Sequence, residues 1–190
     1  MAALKAEYIR ITTSKLDIDK SKFDPLVEKL LNHPGDCVVD TGASSFMAMM
    51  SYLRENRIFE FLANYGKRVV IHAPLVGGSG MDETIRGLMS ILEFENVSVV
   101  VWENTIQGQV EKDGIYFRES ALYKSGAEKI LGVVKLEARS PEYLKVMSVM
   151  TKARLTFAEA SQLPDFFTIE RQRLTWMWRD ITDQLDVLDL

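Results

Sequence analysis

Cysteine is nearly absent from the chain: Cys37 is the single one in 190 residues. That excludes an internal disulfide and any cysteine-rich metal site, and it fits a reducing compartment. Histidine is equally scarce, with only His33 and His72. Cys37 falls within an apolar run that reads as a buried strand, where a thiol is an inert core group rather than a nucleophile or metal ligand. No G-x-S-x-G elbow is present. No apolar run approaches the ~20 residues of a membrane span. The opening residues, Met1 to Glu7, have no apolar stretch of the secretory-signal kind, so a cytoplasmic location is expected. Basic charge is not in excess either, since 23 Lys and Arg face 27 Asp and Glu for a net charge of -4. Charge therefore gives no sign of DNA contact, which needs a broad basic footprint.

What is present is ordinary globular composition, 47% apolar and 26% charged. A chain of this size can bury roughly 70% of its unfolded surface around one core. Three β-branched runs read as strands buried on both faces: Asp36 to Asp40, Lys67 to Pro74 and Val97 to Trp102. A fourth, Ile130 to Leu136, is interrupted by Gly132. Helical stripes lie between them: Phe23, Leu26, Val27 and Leu30; then Phe46, Met50, Leu53 and Phe61 between Ser44 and Ala63; then Ile85, Leu88, Met89 and Leu92. Such alternation predicts an α/β fold with a doubly wound, mostly parallel sheet. After Ser140 the pattern is helical only. Thr156 to Glu159 fits a capping box, Pro164 ends that helix, and Thr168 is placed to cap a last helix with Leu174, Met177, Ile181 and Leu185 on one face. Trp176 and Trp178 sit beside that stripe, and packing of both inside is favoured over the alternative that one lies outside the core and meets a partner. Gln107 to Glu119, with Lys112-Asp113-Gly114, reads as an exposed loop or small hairpin.

Several residues could carry chemistry. Asp40 closes the first strand and precedes Thr41, Gly42 and a helix start. At the carboxyl end of a parallel strand, such an aspartate can hold a Mg²⁺-bound water beside a nucleotide phosphate. Gly42 permits close backbone approach. The local pattern leaves equally open that Asp40 and Ser44 simply cap the helix. Asp36 and Asp40 lie roughly 13 Å apart on an extended strand, too far for a glycosidase pair. Gly77 to Gly80 follows the second strand but matches neither the dinucleotide nor the phosphate-loop motif, and Asp82 and Glu83 behind it oppose an anion. A flexible turn is expected there. No phosphate-loop motif occurs in the 190 residues, which argues against autonomous ATP hydrolysis. Asn104 ends the third strand, where its amide could read an adenine edge or merely form a turn.

Taken together, Val38 to Phe46 (V-V-D-T-G-A-S-S-F), the strand ending in Trp102-Glu103-Asn104, and the tail Arg154 to Phe157 with Arg171 to Leu174 resemble the TraL family. These are plasmid conjugal-transfer proteins related to the ParA/MinD-type P-loop ATPases, and the resemblance runs from Leu4 to about Leu185. It implies a bacterial, cytoplasmic, ParA-like α/β domain over 1–190, with a sheet region at 1–136 and a helical part at 137–190. It also implies ATP and Mg²⁺ as cofactors, with Asp40 in the Walker B role holding Mg²⁺ through water, Thr41 and Gly42 beside it, and Asn104 reading adenine. In that family the Walker A loop and a D-x-D-P motif precede the segment that Ala2 to Tyr8 resembles. The chain is therefore expected to be incomplete at its N-terminus, as a short form, an alternative start or a fragment. The family acts as dimers in transfer or partition machinery. A non-catalytic adaptor binding another transfer component is the alternative. Loss of a first β–α unit would expose a strand edge, so self-association is expected.

Overall fold

The computed structural model describes residues 13–14, 17–18, 20–188 and 190, with side chains from residue 22 onward except 43, 44 and 189. The segment from Ala2 to Tyr8 lies outside the described residues. The chain divides into two compact units, one of residues 1–69 and 94–96, the other of 70–93 and 97–190.

The first unit is mainly helical. A two-residue antiparallel pair, β1 (Thr13–Ser14) and β2 (Asp17–Ile18), precedes a 3-10 turn at Lys20–Phe23 and α1 (Asp24–Asn32). Pro25 sits in the first turn of α1, where its fixed φ suits a helix start. Next come α2 (Ala43–Glu55) and α3 (Ile58–Asn64). The periodicity of 44–63 predicts no break between them, but Arg57 adopts a left-handed conformation (φ 51°) and divides the run. Its core is aromatic. The buried Phe23 and Tyr52 rings lie 5.3 Å apart, and Phe59 meets Phe94 edge-on at 4.9 Å. The Tyr52 hydroxyl donates to Asp24 Oδ1 at 2.7 Å.

The second unit holds a parallel three-stranded sheet in the order β3 (Val70–Val76), β4 (Ser98–Asn104), β7 (Ile130–Leu136). The central strand reads Ser98-Val-Val-Val-Trp-Glu-Asn104, and Val99, Val100 and Val101 are fully buried, as the unalternating apolar run requires. Helix α4 (Met81–Leu92) packs on β3 and buries Leu88 and Ile91. The small hairpin of β5 (Glu111–Lys112) and β6 (Ile115–Tyr116) turns through Asp113 (φ 54°) and Gly114 (φ 76°). Positive φ at both central residues is the type I′ geometry that Asp-Gly favours. Short α5 (Ala121–Ser125) is capped by Ser120, whose hydroxyl accepts from Tyr123 N.

The C-terminal helices are α6 (Pro141–Lys152), α7 (Phe157–Gln162) and α8 (Thr168–Leu185). They share a core of Val146, Met150, Ala160, Phe166 and Leu174, and α8 also packs on β7. The Thr156 capping box forms as expected: Thr156 Oγ1 accepts from Glu159 N at 3.2 Å, and Thr156 N donates to Glu159 Oε2 at 2.8 Å.

Three expectations are corrected. Asp36 to Asp40 is no strand: the segment has no ladder partner among the described residues, and Val38 and Cys37 are exposed. Its apolar run is only three residues long between two carboxylates, which resist burial without partners. Cys37 is accordingly not a core thiol. Thr168 does not cap α8. It is the first helical residue, and Glu170 Oε2 instead accepts from the backbone N of Phe167 at 2.9 Å. Trp176 and Trp178 do not pack fully inside. They are 47% and 44% exposed, with Trp178 stacked on Phe157 at 5.2 Å. The glycine-rich segment after β3 forms a turn, as expected, and backbone packs closely against it. A Cβ at Gly77 would lie 1.9 Å from the Gly108 carbonyl oxygen.

Candidate functional site

Ligands of parallel α/β sheets bind at the carboxyl ends of the strands. In the second unit that edge is built from the segments following β3, β4 and β7. They are tied to one another by backbone hydrogen bonds. Gly77 N donates to Asn104 O at 3.0 Å, and Thr105 N donates to Leu136 O at 3.0 Å. The Thr105 hydroxyl adds two more links, donating to Leu136 O and accepting from Ala138 N, each at 3.1 Å. Thr105 is 8% exposed, so these bonds are protected from water. On the β3 side, the Thr84 hydroxyl accepts from Val76 N at 3.2 Å and fixes the start of α4 beneath the strand.

Asn104 stands where the sequence places it, as the last residue of β4. Its Oδ1 accepts from Ile106 N at 3.1 Å, an Asx turn that aims the half-buried amide along the edge. Among the described residues its Nδ2 has no partner. The amide thus forms a turn and still presents a free donor pair.

Asp40, Thr41 and Gly42 belong to the first unit. They lie outside any helix or strand, with Asp40 and Gly42 exposed and Thr41 half-buried. Gly42 is the N-cap of α2 (φ -66°, ψ 147°), and its carbonyl accepts from both the backbone N and the hydroxyl of Ser45 at 3.0 Å. Asp40 therefore does not cap α2. Ser44 lies within its first turn, and its side chain is outside the described residues.

The structure adds residues that the sequence reading has no claim on. Glu103, one position before Asn104, is 9% exposed and lines a cleft of about 310 Å³ with Thr105, Val110, Tyr116, Arg118 and Lys135. Burial pushes its carboxyl above the usual range, against the pull of Arg118 and Lys135. A glutamate at the end of a run of valines is the sequence signal that finds it. On the same sheet, Trp102 Nε1 donates to His72 Nδ1 at 2.9 Å, and burial holds the His72 imidazole below its ordinary pKa. That bond occupies the Nδ1 lone pair. Among the described residues no cluster of His, Cys, Asp or Glu is arranged to hold a metal ion. Among them, too, no helix is long and apolar enough to cross a membrane.

Neither a family model nor a solved structure matches the chain. Two curated proteins of Escherichia coli, each named Protein TraL, are similar to it. They are 31% and 30% identical over 173 residues, covering 90% of this chain and 72% of each relative. Similarity at that level along nearly the whole chain is more than a shared fold class requires, and it agrees with the family resemblance read from the sequence. The chain belongs to the TraL family.

Proposed function

We propose that this chain is a conjugal-transfer protein of ParA type, which binds ATP·Mg²⁺ and uses nucleotide occupancy to regulate plasmid transfer or partition. The observation that carries the reading is Asn104. It ends the central strand of a parallel sheet with an unpartnered amide donor at the edge where such sheets bind ligands. In this reading Asn104 meets the adenine edge, Asp40 holds Mg²⁺ through a water, and Thr41 and Gly42 line the approach to the phosphates. The fold is that of a P-loop NTPase, with 1–136 as sheet region and 137–190 as helical part. Hydrolysis is not part of the proposal for these 190 residues, because they contain no phosphate-loop lysine.

The reading has nucleotide binding occur beside Asp40, at the end of the exposed Asp36 to Asp40 segment. Cys37 reports on that binding, since its thiol is exposed and is the only one in the chain. Maleimide labelling of Cys37 is expected to slow at least several-fold in ATP·Mg²⁺, and Asn104→Ala is expected to remove the protection. Labelling at one rate with and without nucleotide contradicts a ligand beside Asp40. The role in transfer is tested by mating efficiency in a donor lacking the gene. Asp40→Ala and Asn104→Ala are expected to fail to complement it, and full complementation by both counts against the nucleotide reading.

A second reading, a non-catalytic adaptor, is favoured by the exposed Trp176 and Trp178 on α8 and the 75% exposed Phe167 before it. Its partner would be another component of the transfer machinery, and self-association is a further expectation under either reading. Trp176→Ala that abolishes transfer while ATP·Mg²⁺ binding stays intact supports an adaptor surface. Sedimentation at two concentrations tests self-association, with a clean monomer at both as the contrary result.

A further inference from the structure

The cleft around Glu103 takes no part in the nucleotide reading. Successive strand residues point to opposite faces, so Glu103 and Asn104 serve different sides of the sheet. The cleft lies within the second unit, between the ends of β4 and β7 and the residues that follow the β5–β6 hairpin.

Its wall carries Glu103, a residue nine-tenths buried as a whole, whose carboxylate has no hydrogen-bond partner or ion pair among the described residues. No unpartnered side-chain polar atom among those residues is sealed from solvent, so the Glu103 oxygens open onto the cleft they line. Two cations act on the carboxylate, yet each is engaged elsewhere. Arg118 Nη2 donates to Val133 O at 3.1 Å, and Lys135 Nζ pairs with Glu137 at 3.1 Å. Glu103 thus feels positive charge while its acceptor sites stay open to a donor that enters the cleft. Arg118 keeps further N–H donors at the exposed rim.

We propose that this cleft binds a small zwitterion of the amino-acid class, its ammonium on Glu103 and its carboxylate on Arg118 and Lys135. The charge pattern selects against simpler ligands. A lone cation is repelled by Arg118 and Lys135, and a lone anion by Glu103 and Glu119. The buried Val110 and the Tyr116 ring supply an apolar wall for a side chain. The volume of about 310 Å³ is at the small end of ligand pockets, which suits one amino acid. The proposal does not rest on the nucleotide reading.

Calorimetric titration of L-leucine into the full chain tests it, with 4-methylpentanoate and isoamylamine as the two halves of the ligand. Saturable leucine binding is expected, at least ~10-fold tighter than either half, or about 1.4 kcal/mol. Glu103→Gln is expected to weaken leucine and isoamylamine at least ~10-fold while tightening 4-methylpentanoate, whose carboxylate no longer meets a like charge. Arg118→Gln is expected to weaken leucine and 4-methylpentanoate but not isoamylamine. That crossed pattern separates a ligand contact from simple misfolding. ATP·Mg²⁺ is expected not to compete. The proposal is overturned if leucine shows no saturable binding below about 10 mM, if either half binds as tightly as leucine, or if Glu103→Gln binds leucine like the parent.

Discussion

At the scale of single residues, the ligand edge depends on two positions whose chemistry is fixed by close neighbours. Gly77 has an ordinary φ of -68°, so its constraint is steric alone. Any Cβ there meets the Gly108 carbonyl oxygen and the backbone behind it. Gly77→Ala is expected to destabilise the chain by ~3 kcal/mol, the upper end of overpacking costs, read as a lowered urea midpoint at unchanged slope. Thr105→Val removes the hydroxyl between Leu136 O and Ala138 N and leaves that amide unpaired. A loss of about 1–3 kcal/mol is expected in the same assay. In the first unit, burial and the neighbouring Asp24 push the Tyr52 hydroxyl up to about 12 from 10.0. The protonated phenol is the form favoured by folding. The contribution is therefore complete below pH 10.0 and is lost as pH rises from there through about 12. The stability difference between the parent and Tyr52→Phe is expected to shrink over that window. A difference that stays constant with pH would contradict the assignment.

At the scale of elements, the chain was most legible where side-chain periodicity and end signals agree. Ile130 to Leu136 forms β7 with the bounds that its apolar run gives, despite Gly132. Ser140-Pro141 opens α6, and Asp113-Gly114 turns the hairpin. The Thr156 box is equally plain, and Thr156→Ala is expected to cost ~1 kcal/mol. The same hydrogen bonds hold the Glu159 carboxyl below its usual range, so this cap is intact above pH 4.5 and weakens as pH falls through the lowered value. A Thr156→Ala chain as stable as the parent at neutral pH would deny the cap its role. Legibility failed where local pattern needs a tertiary partner. Cys37-Val38-Val39 has strand propensity, but a strand exists only when a ladder and a covering face are supplied, and here neither is. The break at Arg57 has no proline or glycine to announce it. Trp176 and Trp178 read as core because a helical stripe does not say how wide the buried face is. Of the candidate site, Asn104 was legible from its place at a strand end. Glu103 and Thr105 were not, because their significance comes from β7 and the residues after the hairpin, some 10 to 35 positions away in sequence.

At the scale of the molecule, the described structure offers a parallel sheet with a tied ligand edge in one unit and the Asp40–Gly42 segment in the other. Membership of the TraL family rests on similarity over 90% of the chain. The nucleotide reading adds ATP·Mg²⁺ as the proposed ligand, with Asp40 and Asn104 as the residues to be tested. Asp40 is exposed, so Asp40→Ala should leave folding intact, whereas Asn104→Ala also removes the turn to Ile106 N and is paired with Asn104→Asp, which keeps that acceptor. The most direct test is calorimetric titration of ATP·Mg²⁺ into the chain and into its Asp40→Ala and Asn104→Ala variants. Saturable binding is expected, weakened at least ~10-fold by each substitution and, for Asp40→Ala, made independent of Mg²⁺. No binding to the parent, or binding that neither substitution alters, would contradict the account.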